Sequence, residues 1–191
     1  MSSPESFAYR LEIGQGGERA LAHLLLEQGN CVQFAAEVPT NGGRGPQIFH
    51  PRGSLAAPDL LVFPPNSTPR FAEVKLRTNT TWHRNSGTWQ TSMEERYLLQ
   101  YKKVSQLSSL PVDIYIIQAN SSPSGDDLSQ GCPVVCPTGV FRLEVGDLTE
   151  RIHHRWQRGF SQARIFWPLD AMDLVAPIES IQLGPSLDPA S

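Results

Sequence analysis

Lysine is scarce in this sequence: Lys75, Lys102 and Lys103 are the only ones, against a majority of arginines. Each lysine therefore carries weight, because an ammonium can shift its pKa where a guanidinium cannot. Cysteine is equally sparse, 3 in 191 residues, an odd number far below the density of a disulfide framework. A reducing cytoplasm is the expected compartment. No run of apolar residues is long enough to cross a bilayer as a helix. The first residues, MSSPESFAYRLEIG, lack the basic and apolar regions of a signal peptide. There is no P-loop, no H-E-x-x-H and no Ser-His-Asp pattern, which leaves metal-dependent hydrolysis as the leading enzyme class. The net charge of −3 argues against a protein that coats nucleic acid over its whole surface.

What is present centres on residues 58–77, PDLLVFPPNSTPRFAEVKLR. Two apolar runs flank a Pro/Asn/Ser turn, which predicts a β-hairpin. Side chains alternate along a strand, so Ala72, Val74 and Leu76 form a core-facing row while Glu73 and Lys75 share the other face. Pairing the two runs brings Asp59 near Glu73. Charges in so apolar a strand are costly unless they are paired, solvated or bound to an ion. A divalent metal is the expected partner.

Pro58-Asp59 followed by Glu73-Val74-Lys75 resembles the PD-(D/E)xK phosphodiesterases, the restriction-endonuclease-like nucleases. Each motif half occurs once in the chain. The resemblance covers about residues 14–118 and implies an α/β fold. Its core order is αβββαβ, a mixed central sheet flanked by helices, with a strand-helix-strand extension over about 119–180. The whole chain is then one nuclease-like domain. The small size is closer to junction-resolving or mobile-element nucleases than to large restriction enzymes. The resemblance further implies Mg2+-dependent hydrolysis of DNA, most often internal, with Mn2+ as a substitute and a homodimer as the common assembly. Asp59 is then the principal ligand, Glu73 the second carboxylate, and the Val74 carbonyl a third. Lys75 orients or deprotonates the attacking water. Glu18, in the first turn of a helix, leans toward the metal, although the helix dipole also favours an acid there. The competing expectation is a catalytically silent nucleic-acid-binding or assembly module with the same fold.

Around the motif the basic residues cluster in sequence: Arg44, Arg52, Arg70, Arg77, Arg84, Arg96, Lys102 and Lys103, with His50 and His83 nearby. Arg44, Arg52, Arg77, Arg84, Lys102 and Lys103, together with Gln100, are candidates for phosphate-backbone contact. A linear cluster of this kind is equally compatible with a solvated surface.

Apolar spacing predicts a helix from Gly16 to Gln28 after a lead-in over 1–13. A strand is expected at Cys31–Val38. A long Gly/Pro-rich loop follows over 40–57, with a short extended piece at Gln47–His50. Trp82 and Trp89 either stack on bases or pack in the core, and core packing is favoured because Trp is usually buried. Met93–Leu110 reads as an amphipathic helix with a stripe of Tyr97, Leu98, Tyr101, Val104 and Leu107. Pro111–Gln118 reads as a central strand parallel to the motif strand. Cys132-x3-Cys136 with His153-His154 sketches a zinc site, but the spacing does not match a zinc ribbon. Further on come a strand at Val140–Val145, a helix at Asp147–Arg158, a strand at Arg164–Pro168 and a helical turn at Leu169–Met172. The tail over 181–191 is expected to be partly disordered.

Overall fold

The computed structural model describes residues 4–35, 46–157 and 162–183, with backbone alone for 4–11 and 13. Arg44, residues 36–38 of the first expected strand and most of the expected tail lie outside the described residues.

Helix α1 (Pro4–Glu27) opens the chain, and strands β1 (Cys31–Phe34), β2 (Gln47–His50) and β3 (Gly53–Ala56) follow. The motif hairpin is β4 (Leu60–Phe63) and β5 (Arg70–Arg77). After it come β6 (Thr81–His83), β7 (Thr88–Glu94), α2 (Glu95–Ser108) and β8 (Val112–Gln118). The remainder is α3 (Gly125–Ser129), β9 (Gly139–Glu144), α4 (Val145–Arg151), β10 (His154–Trp156), β11 (Arg164–Pro168) and β12 (Asp173–Ala176).

A six-stranded mixed sheet, in the order β1-β4-β5-β8-β9-β12, forms the centre. β4 pairs antiparallel with both β1 and β5, whereas β8 runs parallel to β5 across the α2 crossover. The expected α-β-β-β-α-β order of the restriction-endonuclease-like fold is therefore present, with β2–β3 and β6–β7 inserted. Every residue of β8 is buried, as a parallel strand covered on both faces should be.

The two faces of β5 follow the expected alternation. Ala72 and Val74, with Leu76 beside them, pack with Leu21, Leu24 and Leu25 of α1. Glu73 stands opposite Ile114 and Lys75 opposite Ile116. Both isoleucines belong to the other core, which holds Leu98, Tyr101 and Val104 of α2. One hydrophobic row thus seats the helix, and the charged row looks toward α2.

The structure corrects several expectations. The first helix begins at Pro4, and its glycines lie within it. Gly17 has a reason to be there: a Cβ at this position would sit 3.0 Å from Leu76 Cβ, so glycine lets α1 approach β5. The loop over 40–57 contains the β2–β3 hairpin. Met93 lies within β7, whose ladder with β11 runs Gln90↔Pro168 to Glu94↔Arg164, and α2 starts only at Glu95. Trp89 is buried and meets Trp82 edge-on at 5.2 Å, so both tryptophans belong to the core. Leu107 is exposed. The helix expected over 147–158 stops at Arg151, because residues 154–156 pair with β11 instead. Tertiary pairing outweighs helical propensity there. Among the described residues no helix is long and apolar enough to cross a membrane.

Candidate metal centre

The β4–β5 ladder runs only from Val62↔Arg70 to Leu60↔Ala72. Beyond it the backbone of β4 turns away, and the Asp59 carbonyl accepts from Ala35 N–H. The side chain of Asp59 fills the place the ladder has left: its Oδ2 accepts from Val74 N–H at 2.7 Å. A strand residue's N–H and C=O point to the same side. The Val74 carbonyl therefore also faces the gap where pairing has ceased.

Glu73 is 2% exposed, and its Oε1 forms an ion pair with Lys75 Nζ. Its Oε2 is buried and makes no hydrogen bond. Burial, then the Glu73 charge, pushes the Asp59 carboxyl up to about 8. Burial and Glu73 likewise raise Glu18, which approaches from α1. Burial alone would lower the Lys75 ammonium, but Glu73 and Asp59 outweigh it and hold it above the ordinary lysine value. Asp59, Glu73, Glu18 and Lys75 thus share one electrostatic neighbourhood.

Asp59, Glu73 and Lys75 line a cavity of about 580 Å³. Its far wall is α2, through Arg96, Tyr97, Gln100 and Tyr101, and β3 closes one side. Tyr101 was legible in sequence only as part of an apolar stripe. Its phenol is kept protonated by burial first and by the adjacent Glu73 carboxylate second. A usable signal was the i, i+4 pair Tyr97/Tyr101, since a buried tyrosine hydroxyl needs a partner. Arg96 lies over the Tyr97 ring at 4.8 Å and pairs with Glu94 at 2.7 Å.

The other sequence candidates scatter. Gln100 reaches the cavity, but its Oε1 accepts from Ala56 N–H at 2.7 Å, so it anchors the β2–β3 hairpin. Arg77 donates to the Ser92 carbonyl at 2.6 Å. Burial, then the nearby Arg164 charge, lowers its pKa to about 10. Arg52 is exposed in the β2–β3 turn and Arg84 in the β6–β7 turn. Lys102 donates to Thr149 on α4, and neither it nor Lys103 lines the cavity. Arg70 pairs with fully buried Asp113 at 2.9 Å. The linear basic cluster is therefore not one basic face.

The residues present fit a hard divalent cation. Two carboxylates and a carbonyl converge at the broken edge of a ladder, with a third acid nearby and one buried carboxylate oxygen unpaired. Oxygen donors of this kind suit Mg2+ or Mn2+.

No protein-family model matches the chain, and no curated protein matches it in sequence. Among solved structures it is similar to Hjc, a Holliday junction resolvase from the archaeal hyperthermophile Archaeoglobus fulgidus. The identity is 10% and the TM-score 0.49, over 85% of this chain and 91% of that one.

Proposed function

We propose that this chain is a divalent-metal-dependent nuclease that hydrolyses phosphodiester bonds in DNA, cutting internally. The observation that supports this most is the convergence of Asp59, Glu73, Glu18 and Lys75 beside the cavity, with Glu73 Oε2 buried and unpaired. Asp59 and Glu73 are the proposed carboxylate ligands, and the Val74 carbonyl completes the protein's share. Glu18 holds a water at the rim of the site. A bound Mg2+ supplies Lewis-acid polarisation of the phosphate and favours a nucleophilic water at neutral pH.

The protein's own groups do the remaining work. The Val74 N–H fixes the Asp59 rotamer. The Tyr101 phenol, kept protonated beside the Glu73 carboxylate, forms part of the cavity wall. Lys75 orients the attacking water and stabilises charge on the phosphate. A cation held by Asp59 and Glu73 would offset the charge that now holds the ammonium's pKa up, which would bring Lys75 closer to the neutral form that can accept a proton. Arg96 is the cationic side chain on the α2 wall best placed to meet a phosphate.

The test is cleavage of supercoiled plasmid, linear duplex and four-way-junction DNA with Mg2+ or Mn2+. Asp59→Ala and Lys75→Ala should abolish cutting while the far-ultraviolet circular dichroism spectrum is unchanged. Wild-type rates in both variants would defeat the proposal. DNA binding without cleavage by the wild type under any divalent ion would leave a binding module with this fold.

A further inference from the structure

A second cluster of ligating side chains lies on the four-stranded sheet, whose order is β10-β11-β7-β6. His83 stands opposite Thr88, and His154 stands opposite Phe166, which in turn faces Ser92. Thr88, Gln90 and Ser92 are two apart on β7, so His83 and His154 come from the two outermost strands onto one face. His153, just before β10, is held by its N–H donating to the Phe166 carbonyl at 2.8 Å. One ring nitrogen from each of the three histidines lies within 4.8 Å of the others. The opposite face of this sheet carries Trp89, Met93, Ile165 and Trp167 and belongs to the core.

The rings are oriented by neighbours. His83 Nδ1 bonds Ser86 Oγ at 2.8 Å, and Ser86 Oγ in turn bonds Thr88 Oγ1 at 2.7 Å. His153 Nδ1 meets the carboxamide of buried Gln90 at 2.7 Å. These contacts leave Nε2 of both rings uncommitted. His154 lies flat on Phe166, centroids 4.5 Å apart and planes 6° from parallel, and its Nδ1 is buried with no hydrogen-bond partner. Histidine ligands whose second nitrogen is fixed by a polar side chain are the usual build of an imidazole metal site. Cys132 and Cys136 take no part: the Cys136 thiol sits 2.8 Å from Thr80 Oγ1.

We propose that His83, His153 and His154 bind one transition-metal ion of the zinc, cobalt, nickel or copper class, clipping strand β6 to strand β10. Metal–nitrogen bonds of about 2.0–2.1 Å place tetrahedral ligands about 3.3 Å apart, so the rings close in by up to about 1.5 Å through side-chain rotation. Gln90 Nε2 is the atom that meets His153 Nδ1; turning the carboxamide over about its last bond would present Oε1 to an Nδ1–H and free the ring's Nε2 lone pair for the ion. Imidazole ligands select these ions over Mg2+, which prefers oxygen. The fourth position is left to water. This site is separate in ligands and in metal preference from the carboxylate centre, and it does not depend on the chain being a nuclease.

Co2+ titration of the full chain, followed by visible absorbance and equilibrium dialysis, tests it. The expected result is one Co2+ per chain that survives in an Asp59→Asn/Glu73→Gln variant. Binding should be lost in His83→Ala and in His154→Ala, and weakened about tenfold or more in Gln90→Ala. Zn2+ should raise the melting temperature of the wild type and leave that of the histidine variants unmoved. Should His83→Ala fail to fold, His83→Gln serves the same comparison. Absence of saturable Co2+ and Zn2+ binding by the wild type overturns the proposal. So does binding that persists when the histidine substitutions are added to the Asp59→Asn/Glu73→Gln chain, or that disappears with the two carboxylates alone.

Discussion

Asp59 should make the metal-free protein lose stability as pH rises through neutrality. Its carboxyl titrates near 8 in the fold against an ordinary 3.8, because burial and then Glu73 oppose ionisation. Below about pH 4 both folded and unfolded chains carry the proton, and the group costs nothing extra. Between 4 and 8 the unfolded chain releases its proton while the folded one keeps it. Stability then falls by up to about 1.4 kcal/mol per pH unit, and above 8 the full penalty is in force. The gap corresponds to on the order of 5 kcal/mol, an upper figure because water penetration and relaxation reduce it. For a chain of this length each kcal/mol moves the melting temperature by about 2–4 °C. Thermal denaturation in EDTA from pH 5 to 9 reads the effect as the difference between wild type and Asp59→Asn, which cancels groups common to both. The wild-type curve should fall toward that of the variant, which retains only the smaller contribution of the raised Glu18. Lys75, raised above its ordinary value, keeps its proton throughout this window and contributes no slope. Mn2+ should remove the penalty, so its stabilisation of the wild type grows from pH 6 to 8. Calorimetry in two buffers should detect about one proton released per ion near pH 6.5. Parallel stability curves for wild type and Asp59→Asn would refute the reasoning.

Three further substitutions probe the frame around the site. Arg70→Ala leaves the fully buried Asp113 without its 2.9 Å partner and should cost about 3–5 kcal/mol in urea denaturation, part of it recovered by adding Asp113→Ala. Gln100→Ala removes the 2.7 Å acceptor for Ala56 N–H. It should speed hydrogen exchange across β3 at a cost of about 1–3 kcal/mol confined to the hairpin. Gly17→Val forces side-chain atoms against Leu76, where even a Cβ comes within 3.0 Å. It should cost about 1–3 kcal/mol and weaken Mn2+ binding by displacing Glu18.

The motif strand was readable because alternation over Arg70–Arg77 conflicts with its charges. Ala72, Val74 and Leu76 specify one face, and Glu73 is buried on the other. The parallel partner was readable from the unbroken apolar run of Val112–Gln118 after an amphipathic helix. What escaped notice has long-range causes. Glycines at 14, 16 and 17 argue locally against a helix, yet packing of α1 on β5 carries the helix through them. Residues 154–156 continue a helical pattern, but the edge of β11 captures them as a strand. The basic candidates do not gather on one face for a related reason. Arg70, Arg77 and Lys102 are each engaged by a partner more than ten residues away, and sequence proximity carries no information about such partners. Gln100 is adjacent to the cavity, as its helix implied, but its carbonyl oxygen serves the backbone of β3.

The way the ladder ends shows why the acids belong where they are. A β-sheet that merely stopped pairing at Leu60↔Ala72 would leave the Val74 N–H exposed to water or unsatisfied. Asp59 satisfies it at 2.7 Å, but a serine or asparagine would do so without bringing in a charge that burial resists. Glu73 compounds the cost, since its neighbour Lys75 satisfies one oxygen and leaves the other bare. Three acids against one ammonium is a poor arrangement for stability alone, because a lone lysine cannot neutralise Asp59, Glu73 and Glu18 together. On the proposed reading, a dication would offset each unfavourable feature at once. It would pair the bare oxygen and permit Asp59 to ionise. Replacing Glu73 with Gln should therefore raise the metal-free melting temperature while abolishing Mn2+-induced stabilisation, a pairing of effects that a purely structural glutamate would not produce.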